Sequence, residues 1–427
     1  MTKTYETETT KEKVILFCVN KGSTADSEDP QELLAELEEL ADTADCEVLG
    51  YLVQNLDRFH PKHYLGKGKV EELKELVEQT NATGVICDDE LSSVQMKHLS
   101  DMLDIKVMDR TLLILDIFAA HAKSAEGKVQ VEIAQLKYNA SHLIGLGVSL
   151  SRLGGGIGTR GPGEKKLEID RRVIRDRITE LEKELKAIES HRHTVRKNRI
   201  NNKCPIVSLV GYTNAGKSTL MNVLTKAGVL AENKLFATLD TTTRKLEYTD
   251  NTSKENLLIT DTVGFIKKLP HSIVKAFRST LEELTYADIL IHVVDASSDG
   301  FSTQMEVVYE TLEDLSCMDK PVITVFNKVD RLENSTDMIL SDGRANQSIK
   351  ISAKTGENVS RLVEIIDEVL KSMKKEVTFL LPHSEGGLLN MLYDQSRISS
   401  KEYVAEGVLI TASLNEEMHK RVEKYIV

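Results

Sequence analysis

Residues 205–219 read PIVSLVGYTNAGKST, an apolar run that opens into a glycine-bounded loop and closes on Lys-Ser-Thr. That order predicts a buried strand, a phosphate loop and the first turn of a helix. Gly211, Gly216, Lys217 and Ser218 fit G-x-x-x-x-G-K-[ST]. Glycines there let backbone N–H groups curl around phosphate oxygens, and the helix N-terminus adds the positive end of its dipole. Tyr212, Thr213, Asn214 and Ala215 lie between the glycines, and Thr219 follows on the helix. In this pattern Lys217 reaches the outer phosphates and the Ser218 hydroxyl binds Mg²⁺. An ordinary βα turn with a solvated lysine can match the same pattern, so its companions must decide.

Downstream, the apolar run NLLIT leads into Asp261-Thr262-Val263-Gly264. An Asp at a strand end, followed by a glycine, supplies a Mg²⁺-linked carboxylate and an N–H that senses a terminal phosphate. ADILIHVVDAS and KPVITVF read as further buried parallel strands, the second ending in Asn327-Lys328-Val329-Asp330. The Asp330 carboxylate can accept both N–H groups on the Watson–Crick edge of guanine, a donor pair that adenine lacks. Asn327 would hold the loop and meet the base, and Lys328 would lie along the ring. SIKIS then leads to Ser352-Ala353-Lys354, where a backbone N–H can meet the guanine carbonyl. Each motif falls at the C-terminal end of an expected strand, the ligand edge of an open α/β sheet. The combination points to GTP and to a P-loop domain over 204–374.

Upstream, from Lys13 to Asp109, short β-rich runs (VILFCV, EVLGYLVQ, GVICDD, KVMD) alternate with helical ones. This predicts a small parallel α/β domain over 13–109, behind a polar tail at 1–12. The loop DRFHPKHYLGKGK, residues 57–69, gathers basic and aromatic groups; it reads as a phosphate or RNA contact, or as a solvated helix cap. From 110 to 199 helical spacing takes over: Val129, Ile133, Leu136, Ala140 and Leu143, then Leu167, Ile174, Ile178, Leu181, Leu185, Ile188 and Val195. Two long helices should pack as a hairpin. Their connection, GGGIGTRGPGEKK from Gly154, is glycine-rich and is followed by Arg171, Arg172, Arg175 and Arg177, with Arg160, Lys165 and Lys166 inside it. A flexible tip beside guanidinium groups suits RNA phosphate, whereas a hinge before a helix laced with ion pairs is the plainer reading. The polar stretch from His191 to Lys203 reads as a linker, its histidines solvated, and 375–427 as a small α+β domain.

The chain's 427 residues carry a net charge of −12, which argues against coating nucleic acid by charge alone and leaves room for a local basic face. Five scattered cysteines read as reduced core thiols. The polar N-terminus and the absence of a membrane-length apolar run suggest a cytoplasmic protein without a membrane span, expected to be a monomer.

Along nearly its whole length the chain resembles the HflX family of translational GTPases. The marks are GGGIGTRGPGE with LEIDRR, the run LLILDIFAAHAKSAEGKVQVEIAQLKY, and KLFATLDTTTR after GYTNAGKST. The resemblance implies binding to the large ribosomal subunit and its rRNA through the N-terminal domains, and the splitting of stalled ribosomes under stress. It also assigns the second Mg²⁺ ligand to Thr238, with Thr242 and Thr243 as alternatives, and extends nucleotide contact to Phe236, Ala237, Leu239 and Asp240. Thr241 stands where the family usually has proline, and NASHLIGLG after Tyr138 lacks the usual proline-arginine.

Lys217, Thr238 and Gly264 are the expected catalytic groups. Ras-like enzymes place a water-orienting glutamine after Asp-x-x-Gly; here Phe265 stands there and cannot do that work. A slow GTPase accelerated by its partner follows, with K⁺ beside Asn214 as a possible source of positive charge. The competing readings are a GTP-gated RNA or ribosome-binding module with negligible hydrolysis, and a ribosome-assembly GTPase.

Overall fold

The computed structural model describes residues 11–21, 30–151, 162–200, 204–225, 235–236, 241–249, 254–268, 270, 273, 281–332, 340–373, 375–395, 397–414 and 416–427. The first unit is a four-stranded parallel sheet of β1 (Lys13–Asn20), β2 (Glu47–Asn55), β3 (Gly84–Cys87) and β4 (Lys106–Asp109), in the order β2-β1-β3-β4. Helices α1 (Pro30–Thr43), α2 (Lys67–Thr80) and α3 (Ser93–Leu103) connect the strands. β1 is buried along most of its length, as an inner strand covered on both faces must be. A capping box starts α3: the Ser92 hydroxyl accepts the Gln95 N–H while the Gln95 side chain accepts the Ser92 N–H.

The first unit does not end at Asp109. Helix α4 (Arg110–His121) begins there, capped by the Asp109 carboxylate, which accepts the Leu112 N–H at 2.8 Å. Its Ile114, Ile117 and Phe118 are buried with Val14 and Leu16 of β1 and Leu37 of α1. The region from Arg110 reads as helical, but because α4 is apolar on several faces it shows no stripe to mark its packing on the first unit.

Helices α5 (Ala125–Ser151) and α6 (Pro162–Ile200) pack through Val129, Ile133 and Leu181, flanked by Leu136, Leu185 and Ile188. This is the expected hairpin, with two changes. α6 starts inside the glycine-rich stretch, at Pro162, a residue whose fixed φ suits the first helical position; residues 152–161, Arg160 among them, lie outside the described residues. It also runs on to Ile200, through most of the segment expected as a linker, because Arg and Lys sustain a helix without an apolar stripe.

The third unit is a six-stranded sheet of β5 (Ile206–Gly211), β6 (Thr242–Thr249), β7 (Lys254–Asp261), β8 (Ile289–Asp295), β9 (Val322–Asn327) and β10 (Gln347–Lys350), ordered β10-β9-β8-β5-β7-β6. Its pairings are parallel except for β6, an antiparallel edge strand that the sequence reading did not identify. Helices α7 (Lys217–Thr225), α8 (Phe301–Asp314) and α9 (Val359–Ser372) follow β5, β8 and β10, and Leu362 and Ile366 of α9 bury against Val207, Ile291 and Val325.

The last unit is antiparallel: β11 (Lys375–Leu381), β12 (Arg397–Val404) and β13 (Gly407–Leu414), ordered β11-β13-β12, with α10 (Gly386–Gln395) and α11 (Glu416–Val422). The run from Tyr403 to Leu414 turns back on itself as a hairpin in which Val404 pairs with Gly407. The chain is thus an α/β multidomain protein with a helical hairpin and an α+β appendix. Among the described residues no helix is long and apolar enough to cross a membrane. The five cysteines are free thiols, and Cys18, Cys46, Cys87 and Cys317 are buried.

Candidate active site

The phosphate loop follows β5, as expected. Gly216 has φ +94°, and a Cβ there would lie 2.3 Å from Asn327 Nδ2, so glycine is required for a close approach as well as for the turn. Asn214 takes the left-handed region, φ +60°, and is half-buried. Lys217, the first residue of α7, is buried, and its ammonium donates to Gly211 O at 3.0 Å and Tyr212 O at 2.7 Å. Burial lowers its pKa to about 8, against the opposing pull of Asp261. Thr219 is half-buried on the first turn of α7.

Ser218 Oγ donates to Asp261 Oδ2 at 2.6 Å, bringing together a hydroxyl and a carboxylate from α7 and the end of β7. These hard oxygens fit Mg²⁺. Thr262 is spent on structure, its hydroxyl donating to Leu209 O at 2.7 Å. Val263 and Phe265 are buried in apolar clusters, so Phe265 packs and offers no polar group to a water.

The base-recognition motifs converge from two strands. Asn327 is 2% exposed; its Nδ2 donates to Ala215 O at 2.9 Å and its Oδ1 accepts the Ala353 N–H at 2.9 Å. One amide therefore ties the phosphate loop to the Ser352–Lys354 loop. Asp330 Oδ1 accepts from Ser352 Oγ at 2.7 Å, and this hydrogen bond holds the carboxyl below the usual Asp range, so it is ionised at neutral pH. Val329 is buried, and its N–H donates to Ile351 O at 3.3 Å. Lys354 is exposed. Lys328 is left-handed, φ +64°, with Nζ 2.7 Å from Asp295 Oδ2, a partner at the end of β8 that motif reading missed.

On the switch side, Phe236 is buried at φ +54°, its ring edge-on to Phe118 of α4 at 4.7 Å. Ala237, Thr238, Leu239 and Asp240 lie outside the described residues. A cavity of about 400 Å³ is lined by Thr213, Asn214, Lys328 and Asp295 together with Glu36 and Glu39 of α1, so the first domain walls the site. Burial, and then Glu36, raise the Glu39 pKa. Sequence reading also missed Arg110, which is 2% exposed and ion-paired to Glu36 and, at 2.7 Å, to Asp88. Burial opposes its charge, but the two carboxylates outweigh that and hold it protonated. Removing one member would leave a buried charge uncompensated, at about 3–5 kcal/mol.

The Lys217 environment yields a prediction. A phosphate beside the ammonium raises its pKa, so the bound state carries more protons and affinity falls as pH rises through about 8. Calorimetry of GDP binding at pH 8 in buffers of different ionisation enthalpy should show uptake of up to about half a proton; no uptake would contradict the assignment.

Three family descriptions match the chain in order: GTP-binding GTPase N-terminal over 31–119, GTP-binding GTPase Middle Region over 121–199, and 50S ribosome-binding GTPase over 206–328. The GTPase HflX of Lacrimispora saccharolytica is 49% identical over 98% of this chain and 97% of its own length. The GTPase HflX of Escherichia coli K12 is 40% identical over 92% and 91%. A GTP-binding protein from Sulfolobus solfataricus solved with GDP aligns over 84% of this chain and 98% of its own at 24% identity, with a TM-score of 0.44. Identity of this extent across nearly the whole of both chains, with the three family matches in order, means that the chain belongs to the HflX family of GTPases, enzymes that hydrolyse GTP.

Proposed function

We propose that this GTPase binds the large ribosomal subunit and splits or rescues stalled ribosomes under stress, in a cycle set by its nucleotide. The observation that carries the reading is the Asp330–Ser352 and Asn327–Ala215 arrangement, a guanine pocket closed onto a phosphate loop. It stands in one chain with a helical hairpin bearing exposed Arg172 and Arg175. The 50S ribosome-binding description of the family matched over 206–328 supports the same partner. Not every arginine of the cluster is available: Arg177 pairs with Glu132 and Glu180, each at 2.9 Å, and Arg171 donates to Leu143 O at 3.2 Å.

Within the site, Lys217 and the Gly264 N–H would stabilise charge on the terminal phosphate, and the P-loop N–H groups would cradle the others. Ser218, Thr238 and, through Ser218, Asp261 would hold Mg²⁺, which supplies charge neutralisation when bound. K⁺ beside Asn214 would add a further positive charge. With Phe265 buried where a water-orienting side chain is needed, turnover is slow alone and rises when the partner completes the site.

Sedimentation with separated ribosomal subunits tests this. Co-sedimentation with the large subunit is expected with a non-hydrolysable GTP analogue and not with GDP. In parallel, turnover should rise by about 100-fold on adding large subunits, and fall when potassium is replaced by sodium. Equal sedimentation with both nucleotides, or unchanged turnover with subunits, would contradict the reading; equal rates in the two salts would remove the K⁺ assignment alone.

A further inference from the structure

On the guanine reading, Asp330 would meet the edge of the base and Lys328 would lie along its ring. A lysine is by itself a poor wall for a flat base, because its four-carbon stem is flexible and its ammonium is drawn to water. Here the stem is not free. Lys328 Nζ lies 2.7 Å from Asp295 Oδ2, and the two side chains are only 14% and 17% exposed. The other oxygen of that carboxylate is engaged by its own loop: Asp295 Oδ1 accepts the Ser297 N–H at 3.0 Å and the Ser297 hydroxyl at 2.6 Å. Ser297 fixes Asp295, and Asp295 fixes the head of the lysine.

The backbone is built to the same end. Asp295 and Asn327 are partners in the register of β8 and β9, and the Ala296 N–H donates to Asn327 O at 2.9 Å, just beyond the ladder. Lys328 follows at φ +64°, a region that residues with a Cβ rarely enter and that persists only where the surroundings over-determine it. A plain structural tie does not account for the pair. The ladder already joins β8 to β9 from Leu290–Val322 to Asp295–Asn327, and a largely buried ion pair is a weak way to add stability. Asp295, Ser297 and Lys328 instead border the cavity that Thr213 and Asn214 of the phosphate loop also line.

We propose that Asp295 is a positioning residue for guanine binding: it pins the Lys328 ammonium so that the methylene stem stands as a fixed wall along the base. The inference rests on the guanine-site reading and adds to it a residue that lies outside the nucleotide motifs. It also changes what the lysine contributes. With its charge met by Asp295, Lys328 offers apolar surface in a preset shape, so the entropy of ordering the stem is lost on folding and not on binding.

The test is a double-substitution cycle on the full-length protein, read as GDP affinity and GDP dissociation rate. Asp295→Asn keeps the size of the side chain and an acceptor for Ser297; it should weaken GDP binding by about tenfold, mostly through faster dissociation. Ser297→Ala leaves both charges in place and should weaken it by about threefold. Lys328→Met keeps an unbranched apolar stem with no head to pin, so in that background Asp295→Asn should change GDP affinity by less than about 1.5-fold. Inosine diphosphate lacks the amine that Asp330 would bind, so the preference for GDP over it reads the base edge alone. That preference should stay within about twofold of wild type in Asp295→Asn. An equal loss from Asp295→Asn in both backgrounds, a collapse of that preference, or unchanged GDP affinity in Ser297→Ala would overturn the role of Asp295 alone. A wild type that binds ADP as tightly as GDP would overturn the guanine site and this role with it.

Discussion

Asp330→Asn should lower GTP affinity by at least about 100-fold and make xanthosine triphosphate the preferred nucleotide, because a site built to pair polar edges rejects a mismatched base strongly. In the proposed site the Asp330 carboxylate, kept ionised by Ser352, would offer two acceptors to the N–H pair of guanine. An asparagine presents one acceptor and one amino group, so it repels the guanine amine and matches xanthine, whose C2 carbonyl replaces that amine. Competition binding with GTP, ATP and xanthosine triphosphate on both proteins measures the exchange. If ATP competed equally with GTP on the wild type, or if the variant kept its preference for GTP, the guanine pocket would not be where Asn327, Asp330 and Ala353 meet.

The second large effect is expected from Gly264→Ala. The added Cβ would meet the backbone of Thr213 at 2.9 Å, and the loop backbone cannot yield cheaply. The N–H at that position is displaced from where charge develops on the terminal phosphate, and losing one such donor costs about 100-fold or more in kcat. With the base and the inner phosphates assigned to Asn327, Asp330 and the P-loop under the proposed function, GDP affinity should change by less than about threefold. Single-turnover hydrolysis alongside GDP titration separates the two, and a loss of GDP binding matching the loss of rate would mean that the substitution simply disrupts the loop.

That these motif residues would gather on one sheet edge was legible in the sequence because phosphate-loop and guanine motifs are local. Gly216, Lys217, Asn327 and Asp330 each sit within a few residues of a strand end, and the strand order of a parallel sheet then gathers those ends on one edge. The elements that escaped the reading have non-local causes. α4, within the stretch that reads as helical, is buried on several faces and has no stripe to assign it to the first domain; β6 is an edge strand whose alternation is diluted by Arg and Lys. The ties from Arg110 to Lys267 and from Tyr212 to Glu36 span 157 and 176 residues. No local pattern marks such partners, because only the docking of two domains brings them together. Tyr212, a bulky aromatic within a loop otherwise made of small residues, was the one hint available.

The length of α6 has a mechanical consequence. As one unbroken helix of 39 residues it extends about 58 Å, and only a few residues separate its C-terminal end at Ile200 from β5, the strand that feeds the phosphate loop. A rigid rod of that length acts as a lever: tilting its base by about 5° sweeps its far end, near Pro162, through about 5 Å. By that geometry a shift at the base no larger than a side chain would become several ångströms at the hairpin tip.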